Sequence, residues 1–145
     1  MKKEIIGRNE IVDLPVLELY GLRAKVDTGA YTSAIHYHHA EVVNWEGKKM
    51  LHFTLLDPSH PEYNDKSFYF EKYKTKIIKN SFGQSEERYI IKSVIRLFGK
   101  DIETEFSLSD RGSLKFPILL GRKLLNKHFI VDTSKKNLSL KKTEK

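Results

Sequence analysis

The chain contains no cysteine in its 145 residues, so no disulfide can staple the fold and no thiolate can serve as nucleophile or metal ligand. Stability must come from a core, and a chain of this size buries roughly two-thirds of its unfolded surface. Long apolar runs are also missing. After Lys2-Lys3 only Ile5-Ile6 precede a glycine and further charges, which gives neither a signal-peptide core nor a membrane span, and the expected location is the cytoplasm. There is no Gly-x-x-x-x-Gly-Lys phosphate loop and no His-Glu-x-x-His metal helix. Internal repeats, low-complexity tracts and a domain linker are likewise absent, so residues 1–140 read as one domain, with 141–145 as a disordered basic tail.

What is present is mainly strand-forming sequence. Segments 16–20, 40–45, 50–56, 67–70, 75–78, 89–98 and 102–108 are rich in β-branched and aromatic residues, and several alternate apolar with polar. Glycines and Asp-Pro, His-Pro and Asn-Asp steps separate them. Only 122–127 carries helical spacing, and it is short. Many strands with one late helix predict an all-β closed barrel and exclude a βαβ fold.

The chemistry-bearing feature is Asp27-Thr28-Gly29-Ala30, at the end of the apolar-leaning run 22–26. A carboxylate followed by a hydroxyl and a glycine suits a catalytic loop: the hydroxyl can brace it, and the glycine lets backbone approach the acid. The same tripeptide also suits an ordinary turn at a strand end. A second segment, Phe116-Pro-Ile-Leu-Leu-Gly-Arg122, runs apolar residues into Gly121 and then into the helix.

Together the two segments resemble the retropepsin-like aspartic proteases. The likeness is closer to a bacterial subgroup labelled ATP-dependent zinc proteases, which pairs Leu-Pro, Lys-Val-Asp-Thr-Gly-Ala-x-Thr-Ser-Ala-Leu-His, an Arg before Pro-x-Leu-Leu-Gly-Arg, and a closing Phe-x-Val-Asp strand. This chain has Leu14-Pro15, Lys25-Val-Asp-Thr-Gly-Ala-Tyr-Thr-Ser-Ala-Ile-His36, Arg111, Pro117-Ile-Leu-Leu-Gly-Arg122 and Phe129-Ile-Val-Asp132, with Ile35 in place of the usual Leu. The resemblance implies an aspartic-type peptidase with Asp27, Thr28 and Gly29 as the catalytic loop. It implies substrate contacts at Ala30, Tyr31, Thr32 and Ser33, and supporting roles for Lys25, Arg111, Gly121 and Arg122. Lys25 is expected on the strand face of Asp27, where a cation would lower the acid's proton affinity. Ala30 lacks a hydroxyl to stabilise the ionised acid, so the expected pH optimum is less acidic than that of digestive enzymes.

One domain has room for one aspartate loop, whereas the chemistry needs two carboxylates. Val131-Asp-Thr-Ser134 copies the first loop up to its glycine, but it follows the helix and reads as a strand end. The second acid is therefore expected from another copy of Asp27 in a homodimer. The polar excursion 57–66 is near the expected position of a hairpin flap. A peptide or protein is the expected substrate, and a non-catalytic peptide-binding module of the same fold is the alternative.

A different alternative is metal. His36, His38 and His39 fall within four residues, His36 and His38 would share a strand face, and His52 and His60 could add to them. Without cysteine or a metal helix, the expectation is that no zinc or other cofactor is used. The net charge of +7 invites nucleic acid, but no recognised binding signature accompanies the scattered lysines. The basic surface would equally attract acidic, glutamate-rich peptides. The subgroup's association with ATP-grasp ligases that add glutamate implies such a ligase as a functional partner.

Overall fold

The computed structural model describes residues 2–79, 82–110 and 115–143, so Arg111 lies outside the described residues. Strand β1 (Glu4–Ile6) is followed by β2 (Asn9–Leu14), in which Glu10, Val12 and Leu14 turn inward and Asn9, Ile11 and Asp13 are only partly covered. Segment 16–20, expected as a strand, instead begins as a 3-10 turn at Pro15–Leu17, and Glu18 takes a left-handed φ of 55°. Proline presets the turn and cannot donate to a ladder. The chain then reverses, with Leu19 paired to Leu14, and enters β3 (Leu19–Val26).

After the aspartate loop come β4 (Ser33–Trp45), β5 (Lys48–Leu55), β6 (Ser67–Phe70), β7 (Lys74–Lys79), β8 (Ser85–Leu97), β9 (Lys100–Ser109) and β10 (Ile118–Leu120). Helix α1 (Arg122–His128), β11 (Phe129–Val131) and α2 (Leu138–Thr143) complete the chain. The strand order β10-β3-β2-β8-β9-β4, with β10 also paired to β4, closes six strands into a ring. The expected all-β closed sheet is what forms. From the ring β5 and β6 extend beyond β4, β7 pairs outside β8, and β1 and β11 make a separate parallel pair.

Core side chains include Leu22, Ile35, Phe53, Ile95, Phe106 and Leu120, each at 2 % exposure or less. Burying a side chain of this kind is worth about 1.5–3 kcal/mol. Helix α2 runs to Thr143. Its anchor is Glu10, buried at 1 % exposure, whose Oε1 accepts from Ser139 N at 2.9 Å and whose Oε2 accepts from Gly7 N at 2.8 Å. Ser139 Oγ in turn accepts from Phe98 N at 2.6 Å. A carboxylate at the first turn of a helix satisfies a free N–H and opposes the positive end of the helix dipole. Among the described residues no helix is long and apolar enough to cross a membrane.

Candidate active site

Strand β10 inserts between β3 and β4, parallel to the first and antiparallel to the second, so the loop joining β3 to β4 passes around its end. That loop is 27–32. Asp27 N donates to Leu120 O at 2.9 Å, and Ala30 N donates back to Asp27 O at 3.2 Å. Helix α1 then supplies its otherwise unpaired first donors: Arg122 N reaches Ala30 O at 2.8 Å and Lys123 N reaches Tyr31 O at 2.9 Å. The helix start and the aspartate loop thus satisfy each other's backbone.

Gly121 permits this approach. A Cβ on it would lie 2.6 Å from Tyr31 O and 2.8 Å from Thr32 C, both backbone atoms. Gly121 N also donates to Ser33 Oγ at 3.0 Å, and Ser33 is 1 % exposed. Ser33, expected to contact substrate, is therefore a buried bracket between the loop and β10. Arg122 Nη1 donates to Thr28 O at 3.0 Å, and its guanidinium lies 5.7 Å from the centre of the Tyr31 ring. The loop is thus held through the Thr28 carbonyl, while the Thr28 side chain is exposed.

Asp27 is half-buried, and its Oδ1 accepts from Gly29 N at 3.0 Å. A Cβ on Gly29 would sit 3.2 Å from that same oxygen, so glycine keeps the carboxylate uncrowded. Lys25 is exposed on β3, with Cα partners Leu119 and Asn9. Ala30, Tyr31 and Thr32 line a cavity of about 300 Å³, whose facing wall carries Lys76, Arg88 and Ile90 from the β7–β8 hairpin.

The excursion 57–66 lies elsewhere. Asp57 Oδ2 is 2.9 Å from His36 Nε2, and its Oδ1 accepts from Ser59 N at 3.0 Å and from the Ser59 hydroxyl. The Ser59 hydroxyl, with help from His36, holds the Asp57 carboxyl below its ordinary range. The segment therefore packs on His36, and the hairpin beside the aspartate loop is β7–β8. In the sequence 75–78 and 89–98 read as strands without a mark of their pairing, whereas the prolines of 57–66 mark that segment as a loop.

The three clustered histidines do not converge. A bulge in β4 between Tyr37 and His39 shifts the register against β5. His36 stays buried against Asp57, His38 packs edge-on to Tyr63 with ring centres 6.0 Å apart, and His39 is exposed on the other side of the bulge. These three residues do not fit one metal ion. Val131-Asp-Thr-Ser134 ends β11 in a turn, with Asp132 Oδ1 accepting from Ser134 N at 3.0 Å and Ser134 Oγ at 2.6 Å.

Glu105 on β9 joins the site's supports. It pairs with Lys74 at 2.9 Å and with Lys123 of α1, and hydrogen bonds from Lys123 and then Lys74 hold its carboxyl below the usual range. A depressed carboxyl adds stability above its unfolded value of about 4.3, and that stability is lost as pH falls through the folded value. Glu105→Gln should therefore melt below wild type at about pH 7, with the gap closing by about pH 3. Melting followed by circular dichroism at both pH values checks this, and a gap that stays constant would contradict it.

A closed β ring that presents an Asp-Thr-Gly loop on an apolar strand, braced by a Gly-Arg helix start, defines a retropepsin-like fold with a single lobe. The chain belongs to the RimB-like family, described as retropepsin-like aspartic endopeptidase RimB, which it matches over residues 5–142. It is 36 % identical over 137 residues to a Shewanella pealeana protein named "Probable alpha-L-glutamate ligase", covering 91 % of this chain and 29 % of that protein. A Desulfotalea psychrophila protein of the same name is 33 % identical over 134 residues, covering 90 % and 28 %. The chain thus spans under a third of the length of these relatives. The crystal structure of Legionella pneumophila Lpg0085, titled as of unknown function, is similar with a TM-score of 0.74 and 25 % identity, covering 95 % of this chain and 99 % of that one.

Proposed function

We propose that the chain is an aspartic peptidase whose catalytic pair forms when two copies bring their Asp27 side chains together on a two-fold axis. The observation that carries this reading is the Asp27 loop itself. It is clamped by β10 and α1 through backbone bonds, while Thr28 and Gly29 face solvent where a second copy can approach. Two carboxylates about 3 Å apart share one proton. The ionised Asp27 takes a proton from water as its oxygen attacks the peptide carbonyl, and the protonated Asp27 gives its proton to the carbonyl oxygen. Collapse of the tetrahedral species breaks the C–N bond as the Asp27 that took the water's proton passes it to the amine nitrogen and the other Asp27 recovers its proton from a diol hydroxyl. No step needs a metal or nucleotide.

The preferred substrate is an acidic, glutamate-bearing peptide. Lys76 and Arg88 are direct cross-strand partners on β7 and β8, and both line the cavity beside Ala30–Thr32. Like charges opposite one another are unfavourable. Arg88 Nε is buried without a hydrogen-bond partner among the described residues. Glu86 Oε2, 3.6 Å from Arg88 Nη2, offsets part of this charge, a substrate carboxylate would offset more, and Asp110 on the same cavity limits how many it accepts. The names of the relatives support a role beside a glutamate-adding ligase, with this domain as a module that such longer proteins share.

Incubation with a mixed peptide library, read by mass spectrometry of new termini, tests the proposal. Internal cleavage enriched for glutamate near the cut is expected, and Arg88→Gln should raise KM for those peptides by roughly tenfold, about 1.4 kcal/mol of lost binding. Intact peptides, or cleavage indifferent to acidic residues, would contradict it.

A further inference from the structure

On the outer face of the β4–β5 pair, His39, Glu41 and His52 converge. Glu41 and His52 are direct cross-strand partners, and His39, two residues before Glu41 in the regular ladder beyond the bulge, shares its face. His39 Nε2 lies 3.3 Å and His52 Nδ1 3.7 Å from the same oxygen, Glu41 Oε1, and the three ligand atoms all lie within 4.8 Å of one another. Charge-assisted N–H···O bonds run shorter, about 2.7–2.9 Å. A tetrahedral ion bound at about 2.0–2.1 Å sets its ligand atoms about 3.4 Å apart, which is close to the spacing of each imidazole nitrogen from the carboxylate oxygen.

We propose that His39, Glu41 and His52 bind a zinc-type divalent cation through two imidazoles and one carboxylate, with a fourth position open to water. The His52 ring is held by stacking on Tyr69, with centres 4.5 Å apart and planes 14° from parallel, and Tyr69 leans on Trp45 at 5.2 Å. A ring fixed in this way loses little freedom on ligation. His39 and Glu41 have side chains 49 % and 54 % exposed, so the ion enters from solvent and the fourth position faces outward. The site is six residues along β4 from Ser33, on the order of 20 Å of strand, so it ties β4 to β5 and takes no part in chemistry at Asp27. The inference is independent of the peptidase reading. Two imidazoles with a carboxylate suit zinc, and copper(II) would compete on affinity.

Metal-stripped protein titrated with Zn²⁺ against a chromophoric chelator tests the site, with the melting temperature as a second readout. One equivalent should bind and raise the melting temperature, as any ligand of the folded state does. His39→Ala and His52→Ala should each weaken binding by at least about tenfold and abolish the rise, while keeping the wild-type circular dichroism spectrum. His60→Ala, in the 57–66 loop, is the control and should bind as wild type. No saturable binding, unchanged affinity in His39→Ala and His52→Ala, or equal weakening in His60→Ala would overturn the proposal.

Discussion

Asp27→Asn is expected to lower peptide turnover by about 10³-fold or more while leaving the fold and peptide affinity intact. The size follows from the proposed chemistry: general acid–base catalysis by a positioned group contributes about 10²–10⁴-fold, and this substitution removes both donor and acceptor roles at once. Retention of the fold follows from the loop's construction. Asp27 N to Leu120 O, Ala30 N to Asp27 O and Arg122 N to Ala30 O are backbone bonds that an asparagine leaves in place. Its Oδ1 can still accept from Gly29 N. Turnover with saturating peptide, beside a binding isotherm for the same peptide, separates enzyme from binding module. Loss of turnover with retained binding marks the enzyme, and indifference in both marks the module.

Glu10→Ala is expected to carry the largest stability cost of any single polar replacement, about 3–5 kcal/mol. The carboxylate is 1 % exposed and is the acceptor for both Gly7 N and Ser139 N. Each buried donor left without a partner costs about 1–3 kcal/mol, and the lost side chain adds a cavity. Such a loss is a large share of the about 5–15 kcal/mol that a domain commands. It would also release α2 from β2 and the Phe98 turn, since Ser139 connects the two. Denaturant unfolding measures the loss, with Glu10→Gln intermediate because one acceptor oxygen survives. A cost below about 1 kcal/mol would show that the clamp contributes little.

The sequence made the ring legible because its strands carry the expected alternation, and it made the aspartate loop legible because Asp27-Thr28-Gly29 and Gly121-Arg122 stand together as short motifs at strand ends. Gly121 is the clearest case, since backbone from Tyr31 and Thr32 fills the space a side chain would need. What stayed hidden depended on partners distant along the chain. Strand β2 ends at the Leu14-Pro15 step that marks it, but its core-facing phase includes Glu10, which reads as solvent-facing until Ser139 arrives 129 residues later. Ser33 reads as a substrate contact until Gly121 N is seen against it. His36 and His38 line one cavity, as a shared face requires, whereas the place of His39 depends on a bulge without a local sequence mark, since it is set by pairing with β5. The flap position suffered similarly, with 57–66 engaged by His36 while β7–β8 borders the cavity.

The proposed dyad rests on two chains sharing one proton site, and a mixing experiment tests that most directly. Wild-type protein at fixed concentration is equilibrated with rising amounts of Asp27→Asn, and peptide cleavage is followed per wild-type chain. Exchange of protomers should drive cleavage per wild-type chain toward zero, because each mixed pair holds only one acid. Cleavage that stays constant per wild-type chain at every ratio, with mixed pairs demonstrably formed or with the protein shown to act as a monomer, would contradict the account.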